Sequence, residues 1–307
     1  MLLLVLADQA RVRETRAAAG AGRGTRTARG AVAPRPVTAY ALPSLVATAA
    51  VVGLLVAPVA ALVTRSLQRG GEWTLANYAG LGSLDAHHAL ATTVWEALGT
   101  SWQIAVDAAL IAVLLGVLVS VLVARPTRTP GQLRRRRVLD ALVMLPLGIS
   151  AVTVGFGFLV TLDRSPLDLR SSPVLIPIAQ AMVALPLVVR TLTPVLRAVD
   201  DRQRQAAATL GAGPARVWLT VDLPVIWRPL LAAVGLALAV SLGEFGATSF
   251  LVRPDRPTLP VVIYQLIGRP GADNLGLALA ASVVLAGVTV AVMAVVERLR
   301  VSSVGAF

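Results

Sequence analysis

The chain has 307 residues, of which 56% are hydrophobic and only 14% are charged. Soluble domains carry about 25% charged residues. This composition excludes a soluble globular protein and predicts an integral membrane protein. Every basic residue is arginine, and the absence of lysine excludes a Walker A phosphate loop, so any ATP must be bound by another polypeptide. The absence of cysteine excludes disulfides, thiolate metal sites and cysteine nucleophiles.

The segment 1–38 is rich in alanine, glycine and arginine without periodicity, which predicts a disordered tail. A second interpretation rests on two similar stretches, LADQARV near the start and VVERLRV at 295–301, in which an apolar run is followed by an acid and then arginine. In that interpretation the first residues are the stub of a last span from a fused upstream half. Chance similarity between two arginine-rich membrane flanks explains the same pattern.

Long apolar runs rich in leucine, valine and alanine follow the tail. Each is near or above the roughly 20 residues that a helix needs to cross a hydrocarbon core of about 30 Å. The runs are continuous rather than alternating, which indicates helices and not barrel strands. The predicted fold is an all-α integral membrane protein with six transmembrane helices, over 39–64, 98–124, 138–161, 174–197, 229–252 and 276–297.

The distribution of arginine predicts the orientation of these spans. With the N-terminus inside, the inner segments carry 20 arginines and the outer segments carry 7. The remaining one, Arg190, lies near the inner end of the fourth span, where its side chain can reach the interface. Cytoplasmic loops carry the excess of arginine, so both termini are predicted to be cytoplasmic. Arginines clustered between apolar runs also favour orientation signals over nucleic-acid binding.

Few polar residues in the chain suggest chemistry. His87 and His88 are adjacent in a predicted outer loop and point apart, which disfavours a metal site. Asp107 and Gln103 lie near the outer end of the second span, where interfacial water lowers the free-energy cost of a polar side chain. No Ser-His-Asp group or paired carboxylates occur at catalytic spacing, so no catalytic, cofactor-binding or metal site is predicted, and the chain is not expected to be an enzyme.

The inner loop 198–228 carries the most specific local signals. Asp200 and Asp201 are suited to cap a short helix that runs through Leu210. A turn is predicted directly after that helix, because glycine permits positive φ and proline cannot continue the helical hydrogen bonds; its residues are Gly211, Gly213 and Pro214.

A second short helix over 215–222 is expected to end before Pro224, whose ring disfavours the helical region at the preceding residue. We call the two helices and their turn the elbow, residues 199–224. Its apolar side chains have no membrane to enter, so they either bind a protein partner or pack against the inner ends of the spans; they are Leu210, Val217, Trp218 and Leu219.

Glu244 is the only charged residue between Pro229 and Val252 and is flanked by Gly243 and Gly246. Counted along a helix from Pro229, it lies about two-thirds of the way across the membrane. A lipid-facing carboxylate at that depth is unfavourable, so the side chain is expected to face protein or water. Two interpretations follow: it bonds to a neighbouring helix, or its charge lines a translocation pathway for a cationic substrate.

The spacing inside the elbow resembles the coupling motif of permease subunits of binding-protein-dependent type I ABC importers. The matching residues are Gln205, Ala206 and Ala207, then Gly211 after three residues, then Val221, Leu223 and Pro224 after nine more. In that family this segment docks into a groove of the ATP-binding subunit, so the resemblance assigns ATPase coupling to these residues. Gln205 stands where the family usually has glutamate, which removes an ion pair at that point.

The resemblance covers about 97–297, the transmembrane domain of type I importers, with 39–96 as an added helix and outer loop and 298–307 as a cytoplasmic end. It implies a multi-pass protein of the bacterial inner membrane. The implied partners, besides the lipid bilayer, are an ATP-binding subunit dimer, a second permease copy or homologous half, and an extracytoplasmic substrate-binding protein. ATP is the partner's ligand, and neither a cofactor nor nucleic acid is expected on this chain.

Three further stretches resemble permeases for thiamine and ferric iron, with sulfate and molybdate permeases as neighbours. They are ALPLVVRTLTPVLRAVD, SLGEFGATSFL and TLPVVIYQLIG. A self-contained secondary transporter, the alternative from a different class, needs inverted repeats and several intramembrane charges. Only Glu244, Asp107 and Arg190 are available for that role. A membrane scaffold without transport would not need the coupling spacing.

Overall fold

The computed structural model describes residues 41–83, 92–125, 129–162 and 172–302. The predicted tail, the two adjacent histidines and the last five residues lie outside these ranges. The chain divides into two compact units, the first ending at Val56 and the second beginning at Ala57.

The described part of the chain is mostly helical. It begins with α1 (Ala41–Ser66), a short antiparallel hairpin of β1 (Gln68–Arg69) and β2 (Glu72–Trp73), α2 (Ala76–Ala79) and a 3₁₀ turn at Gly80–Gly82. The next helices are α3 (Val94–Ala124), α4 (Pro130–Gly148), α5 (Ala151–Thr161) and α6 (Leu175–Ala198). They are followed by α7 (Asp201–Thr209), α8 (Pro214–Val217), a π-helical turn at Trp218–Asp222, α9 (Leu223–Leu242), α10 (Thr248–Leu251), α11 (Leu259–Ile267) and α12 (Ala272–Ser302).

Five helices in the described ranges are long and apolar enough to cross a membrane, and the pair α4 and α5 makes a sixth span if it is counted as one. Four of the predicted spans coincide with α1, α3, α6 and α12. Helix α3 begins at Val94 rather than at residue 98, because Thr93 and Glu96 form a reciprocal capping box there.

The predicted third span, 138–161, is wrong at its start and contains a sharp bend. Helix α4 begins at Pro130, where the hydroxyl of Thr129 caps it, and the chain bends by 101° between α4 and α5. Ile149 and Ser150 both adopt extended backbone, which interrupts the helical hydrogen bonds. Hydropathy could not locate this start, because the first turns of α4 contain four consecutive arginines.

The predicted fifth span over 229–252 is also wrong at both ends. The helix runs without a break from Pro214 to Leu242 and then stops at Gly243. Pro229 therefore lies inside the helix and does not begin it. Glu244 lies beyond its end, in the turn that leads to α10.

The centre of the molecule is formed by α3, α6 and α9, which pack against one another through small residues. The buried alanines at this contact are Ala108, Ala109, Ala112, Ala181, Ala184, Ala233 and Ala237. Gly116 of α3 continues the same close approach, since a Cβ there would lie 2.5 Å from a methyl carbon of Val188 on α6. Small residues allow helix backbones to approach closely where no water drives them together.

A second buried cluster joins α11 and α12 to the N-terminal part of α3. Leu81, Leu259, Leu266 and Leu277 are nearly fully buried in it. The hydroxyl of Ser101 on α3 accepts a hydrogen bond of 2.7 Å from the backbone N–H of Leu259, which fixes the start of α11.

Candidate functional site: the elbow and the Glu244 turn

The first helix of the elbow is α7, and its start is capped as the sequence predicts. The carboxylate of Asp200 accepts a hydrogen bond of 2.9 Å from the backbone N–H of Arg202. This bond satisfies one of the N–H groups that a helix leaves without an intrahelical partner.

The turn after α7 requires the glycine at position 211. Gly211 adopts φ +86°, a left-handed conformation that other residues adopt only with strain. Its N–H donates to the carbonyl of Ala208 at 3.0 Å, and the N–H of Ala212 donates to the carbonyl of Ala207 at 3.1 Å. These two bonds form a Schellman motif, which closes the helix and reverses the chain.

The second part of the elbow differs from the prediction, because α8 does not end before Pro224. It continues through the π-helical turn into α9, and the N–H of Leu223 donates to the carbonyl of Trp218, five residues earlier. Pro224 has no N–H to donate, and its ring would clash with the carbonyl four residues before it in a regular α-helix. The wider π turn accommodates it, so the elbow is rigidly continuous with α9.

Arg204 links three parts of this region. Its Nε and Nη2 lie 2.9 and 2.8 Å from Oδ1 of Asp222, its Nη1 lies 2.6 Å from Oδ1 of Asp201, and its Nη2 donates to the carbonyl of Leu196 at 3.1 Å. Partial burial alone would lower the pKa of Arg204, but hydrogen bonds and charges of Asp222 and Asp201 outweigh it and raise the pKa above its ordinary value. The guanidinium stays charged at any physiological pH.

The apolar side chains of the elbow divide into two groups. Leu210, at the tip, is 88% exposed and Leu219 is 55% exposed, whereas Val217 and Trp218 are half-buried. A cavity of about 480 Å³ lies beneath the elbow, between α7, α8 and the end of α3. The outer half of the apolar surface therefore stays available to another molecule, while the inner half faces the chain itself.

The residues of the coupling spacing lie on both arms of the elbow. Gln205, Ala206 and Gly211 are exposed and Ala207 is half-buried on the first arm, while on the second arm Val221 and Leu223 are half-buried and Pro224 is exposed. Arg204 and Asp222, which hold the two arms together, were not singled out from sequence. Their opposite charges on the two sides of the predicted turn were the available signal.

The carboxylate of Glu244 is 93% buried and is fully engaged close to its own position in the chain. Oε1 accepts from the N–H of Ala247 at 2.7 Å, and Oε2 accepts from the N–H of Thr248 at 3.0 Å and from its hydroxyl at 2.5 Å. Gln180 of α6 donates to the same hydroxyl at 3.1 Å. Glu244 thus caps α10, and every partner of its carboxylate is a donor.

Helix α5 packs directly on this turn. A Cβ on Gly155 of α5 would lie 2.6 Å from the backbone of Ala247, and a Cβ on Gly246 would lie 3.1 Å from Ala151. A neighbouring helix therefore approaches closely at Gly246, whereas a Cβ at Gly243 would meet only a carbonyl of its own helix.

A small polar cavity of about 100 Å³ lies among α3, the start of α6 and the segment after α10. Its polar lining consists of Thr100, Gln103, Asp107, Ser172, Arg253 and Arg256. Arg256 donates to Oε1 of Gln103 at 3.3 Å, and Arg253 pairs with Asp255 at 3.0 Å. In the described ranges, no three histidine, aspartate or glutamate side chains come together as a metal site would require.

The family model described as binding-protein-dependent transport system inner membrane component matches residues 112–300, which is more than half of the chain and includes the whole elbow. The chain belongs to this family. The match confirms the permease family that the coupling spacing predicted.

Individual members of the binding-protein-dependent family are similar to the chain over most of its helical part. The molybdenum transport system permease ModB of Escherichia coli K12 is 32% identical over 59% of this chain and 82% of its own length. The putative 2-aminoethylphosphonate permease PhnV of Salmonella typhimurium is 28% identical over 79% and 88%. The thiamine permease ThiP of E. coli K12 is 27% identical over 57% of this chain and 32% of its own length.

Proposed function

We propose that this chain forms the translocation pathway of an ABC importer and binds a separate ATP-binding subunit through its elbow. The proposal rests on the exposure of Leu210. The turn at Gly211 holds this leucine at the tip of the elbow, where its side chain is largely exposed. An apolar side chain in that position is suited to insertion into a groove of a partner. The excess of arginine on the same side of the predicted topology supports a cytoplasmic location for this surface, in the compartment that contains ATP.

In this function the chain supplies no chemistry of its own. The partner dimer binds and hydrolyses ATP, an external binding protein delivers the substrate, and a second permease copy or homologous half completes the pathway in the bacterial inner membrane. The elbow continues directly into α9 and is bonded to the end of α6, so movement of the partner reaches two helices of the central bundle.

Capture of the ATP-binding subunit tests this proposal. The tagged chain should retain the ATP-binding subunit of its own transport system after solubilisation, and Leu210→Asn should lose most of it, because the exposed leucine would no longer be apolar. Leu75→Asn is the matched control, since Leu75 is also largely exposed but lies on the predicted outer side. Equal capture by wild type and Leu210→Asn, or no capture by the wild type, would contradict the proposal.

For the substrate, we propose a small oxyanion or phosphonate, with thiamine as the second candidate. The molybdenum permease has the highest identity of the three, 32%, and the aminoethylphosphonate permease aligns with the largest share of the chain, 79%, whereas the thiamine permease is 27% identical over 57%. The sequence-based argument for a cation relied on the charge of Glu244, and that carboxylate is occupied by three donors. The relatives named above give ferric iron no support, while three stretches of the sequence resemble thiamine permeases and keep thiamine in second place.

Uptake by the reconstituted transporter separates these substrates. Proteoliposomes containing the chain, its ATP-binding subunit and its binding protein are offered molybdate, 2-aminoethylphosphonate or thiamine, with ATP inside or outside. ATP-dependent import of one of the two anions, and not of thiamine, is expected. Import of thiamine alone would overturn the substrate class while leaving the transport function intact.

A further inference from the structure

The guanidinium of Arg204 lies where three helical segments meet. It is carried by α7, it bonds to the carbonyl of Leu196 in the last turn of α6, and it pairs with Asp222 at the junction of the π turn and α9. Arg204 also pairs with Asp201 one turn earlier on α7, which restricts the orientation of the arginine side chain. Three contacts of the guanidinium, two with Asp222 and one with the carbonyl of Leu196, thus join the first arm of the elbow to the helices before and after it.

The burial of this cluster separates it from the surface available to a partner. The side chain of Asp222 is 11% exposed and that of Arg204 is 22% exposed, whereas Leu210 at the tip is 88% exposed. The cavity beneath the elbow borders both residues, so the arms are not held against α3 by tight apolar packing. The polar cluster lies at the wall of this cavity and joins α7 to the last turn of α6 and to Asp222.

We infer that Arg204 is a positioning residue that locks α7 to α6 and α9, so that the elbow and these two helices move as one body when the ATP-binding partner moves. This inference rests on the proposed function, because it assumes that the partner binds the elbow. The planar guanidinium is preorganised for several simultaneous bonds, which a flexible ammonium group cannot reproduce. Removing it breaks the polar contacts of α7 with the last turn of α6 and with Asp222.

Spin-label distances test the rigid attachment directly. The chain has no native cysteine, so single cysteines at Gln203 on α7 and Trp227 on α9, both exposed, can be labelled selectively. In the full chain, in nanodiscs, the distance distribution between the labels should be narrow. It should broaden clearly in Arg204→Gln and in Asp222→Asn, and Arg204→Lys should fall between these and the wild type.

Arg202→Gln is the matched control, because Arg202 is exposed on the same helix and its bond to Asp200 is made by the backbone N–H, which the substitution keeps. An unchanged distribution in both Arg204→Gln and Asp222→Asn, or equal broadening in Arg202→Gln, would overturn the inference. Asp222→Asn preserves the shape of the side chain and keeps the test valid if Arg204→Gln fails to fold.

The consequence for coupling is measured in the complete transporter, with molybdate, 2-aminoethylphosphonate and thiamine offered in parallel. Import per ATP hydrolysed should fall about tenfold in Arg204→Gln, within the usual range of coupling between two sites, while capture of the ATP-binding subunit remains as in the wild type. Loss of capture in Arg204→Gln would make Arg204 a docking residue and overturn the inference. Failure of the wild type to capture the subunit would instead overturn the proposed function, and the spin-label distances would still decide the attachment.

Discussion

Glu244 shows how a buried carboxylate can be placed without a counter-ion. The helix α9 has ended before it, so N–H groups at the start of α10 are free to bond to its oxygens. The hydroxyl of Thr248 also donates to Glu244 and accepts a hydrogen bond from Gln180 of α6, which connects the turn to that helix. This geometry favours the interpretation of Glu244 as a structural residue over that of a charge in the pathway.

Substitutions of Glu244 separate these two roles. Glu244→Leu leaves two backbone N–H groups unbonded, each costing about 1–3 kcal/mol, and should lower the thermal unfolding midpoint of the purified chain markedly. Glu244→Gln loses at least one of the three bonds, because its amide nitrogen cannot accept, and should cost about 1 kcal/mol. Import by Glu244→Gln, corrected for the amount of protein in the membrane, should remain close to that of the wild type.

The control for Glu244 is Ser249→Ala, which removes a hydroxyl bonded to the carbonyl of Gly246 in the same turn but leaves the cap intact. It should change stability little. Collapse of import in Glu244→Gln, with normal stability and insertion, would show that the charge itself serves the pathway.

Gly211 gives a second prediction at the scale of a single residue. Gly211→Val places a β-branched side chain at positive φ and should cost about 1–2 kcal/mol, opening the turn that presents Leu210. The matched control is Gly213→Val, since Gly213 has φ −66° and an open environment for a side chain. Capture of the ATP-binding subunit should fall only in the Gly211 variant; equal loss in both would mean that the turn conformation is not what matters.

At the scale of elements, the contact of α5 with the Glu244 turn brings a glycine of one helix directly against the backbone of another segment. It is possible because the chain bends by 101° before α5, which brings Gly155 onto the backbone of Ala247. Two glycines on α5 therefore have different environments: Gly155 touches backbone, whereas Gly157 has open space around it.

This difference predicts opposite effects of the same substitution. Gly155→Ala should force α5 away from the turn and destabilise the chain, because the backbone of Ala247 cannot move as a flexible side chain would. Gly157→Ala should be neutral or stabilise the helix by up to about 1 kcal/mol, since alanine has the higher helix propensity. Thermal unfolding of the two purified variants measures the difference, and equal midpoints would argue against the contact.

At the scale of the whole molecule, the distribution of arginine predicts the orientation in the membrane. The absence of cysteine allows a clean test with single introduced cysteines and an impermeant thiol reagent applied to intact cells. The introduced cysteine must be exposed in the structure to react with the reagent. Position 262, for example, lies in a predicted outer segment but is unsuitable for labelling, because Val262 is only 1% exposed.

Cysteine at Leu75 or Asp255 should react from outside, because both residues are exposed in predicted outer segments. Cysteine at Gly131 or Gly213, where a side chain meets open space, should react only after the membrane is made permeable. Labelling of position 213 in intact cells would reverse the topology and remove the elbow from the compartment that contains ATP.

The sequence by itself determined the membrane class, the approximate positions of four spans, the start of α7 and the turn at Gly211. These features depend on local properties: apolar length, a capping side chain, and the freedom of glycine at positive φ. The family also followed from sequence, because the spacing of the elbow is a linear pattern.

Only the tertiary structure decided what the polar residues do. Arg204 finds Asp222 18 residues away, and Gln180 reaches Thr248 across 68 residues; such pairs depend on how helices pack, which no local pattern records. The end of α9 at Leu242, the bend before α5 and the π turn before Pro224 likewise depend on backbone geometry rather than on composition. Hydropathy does not detect them, because it records how apolar a segment is and not how its helix is hydrogen-bonded.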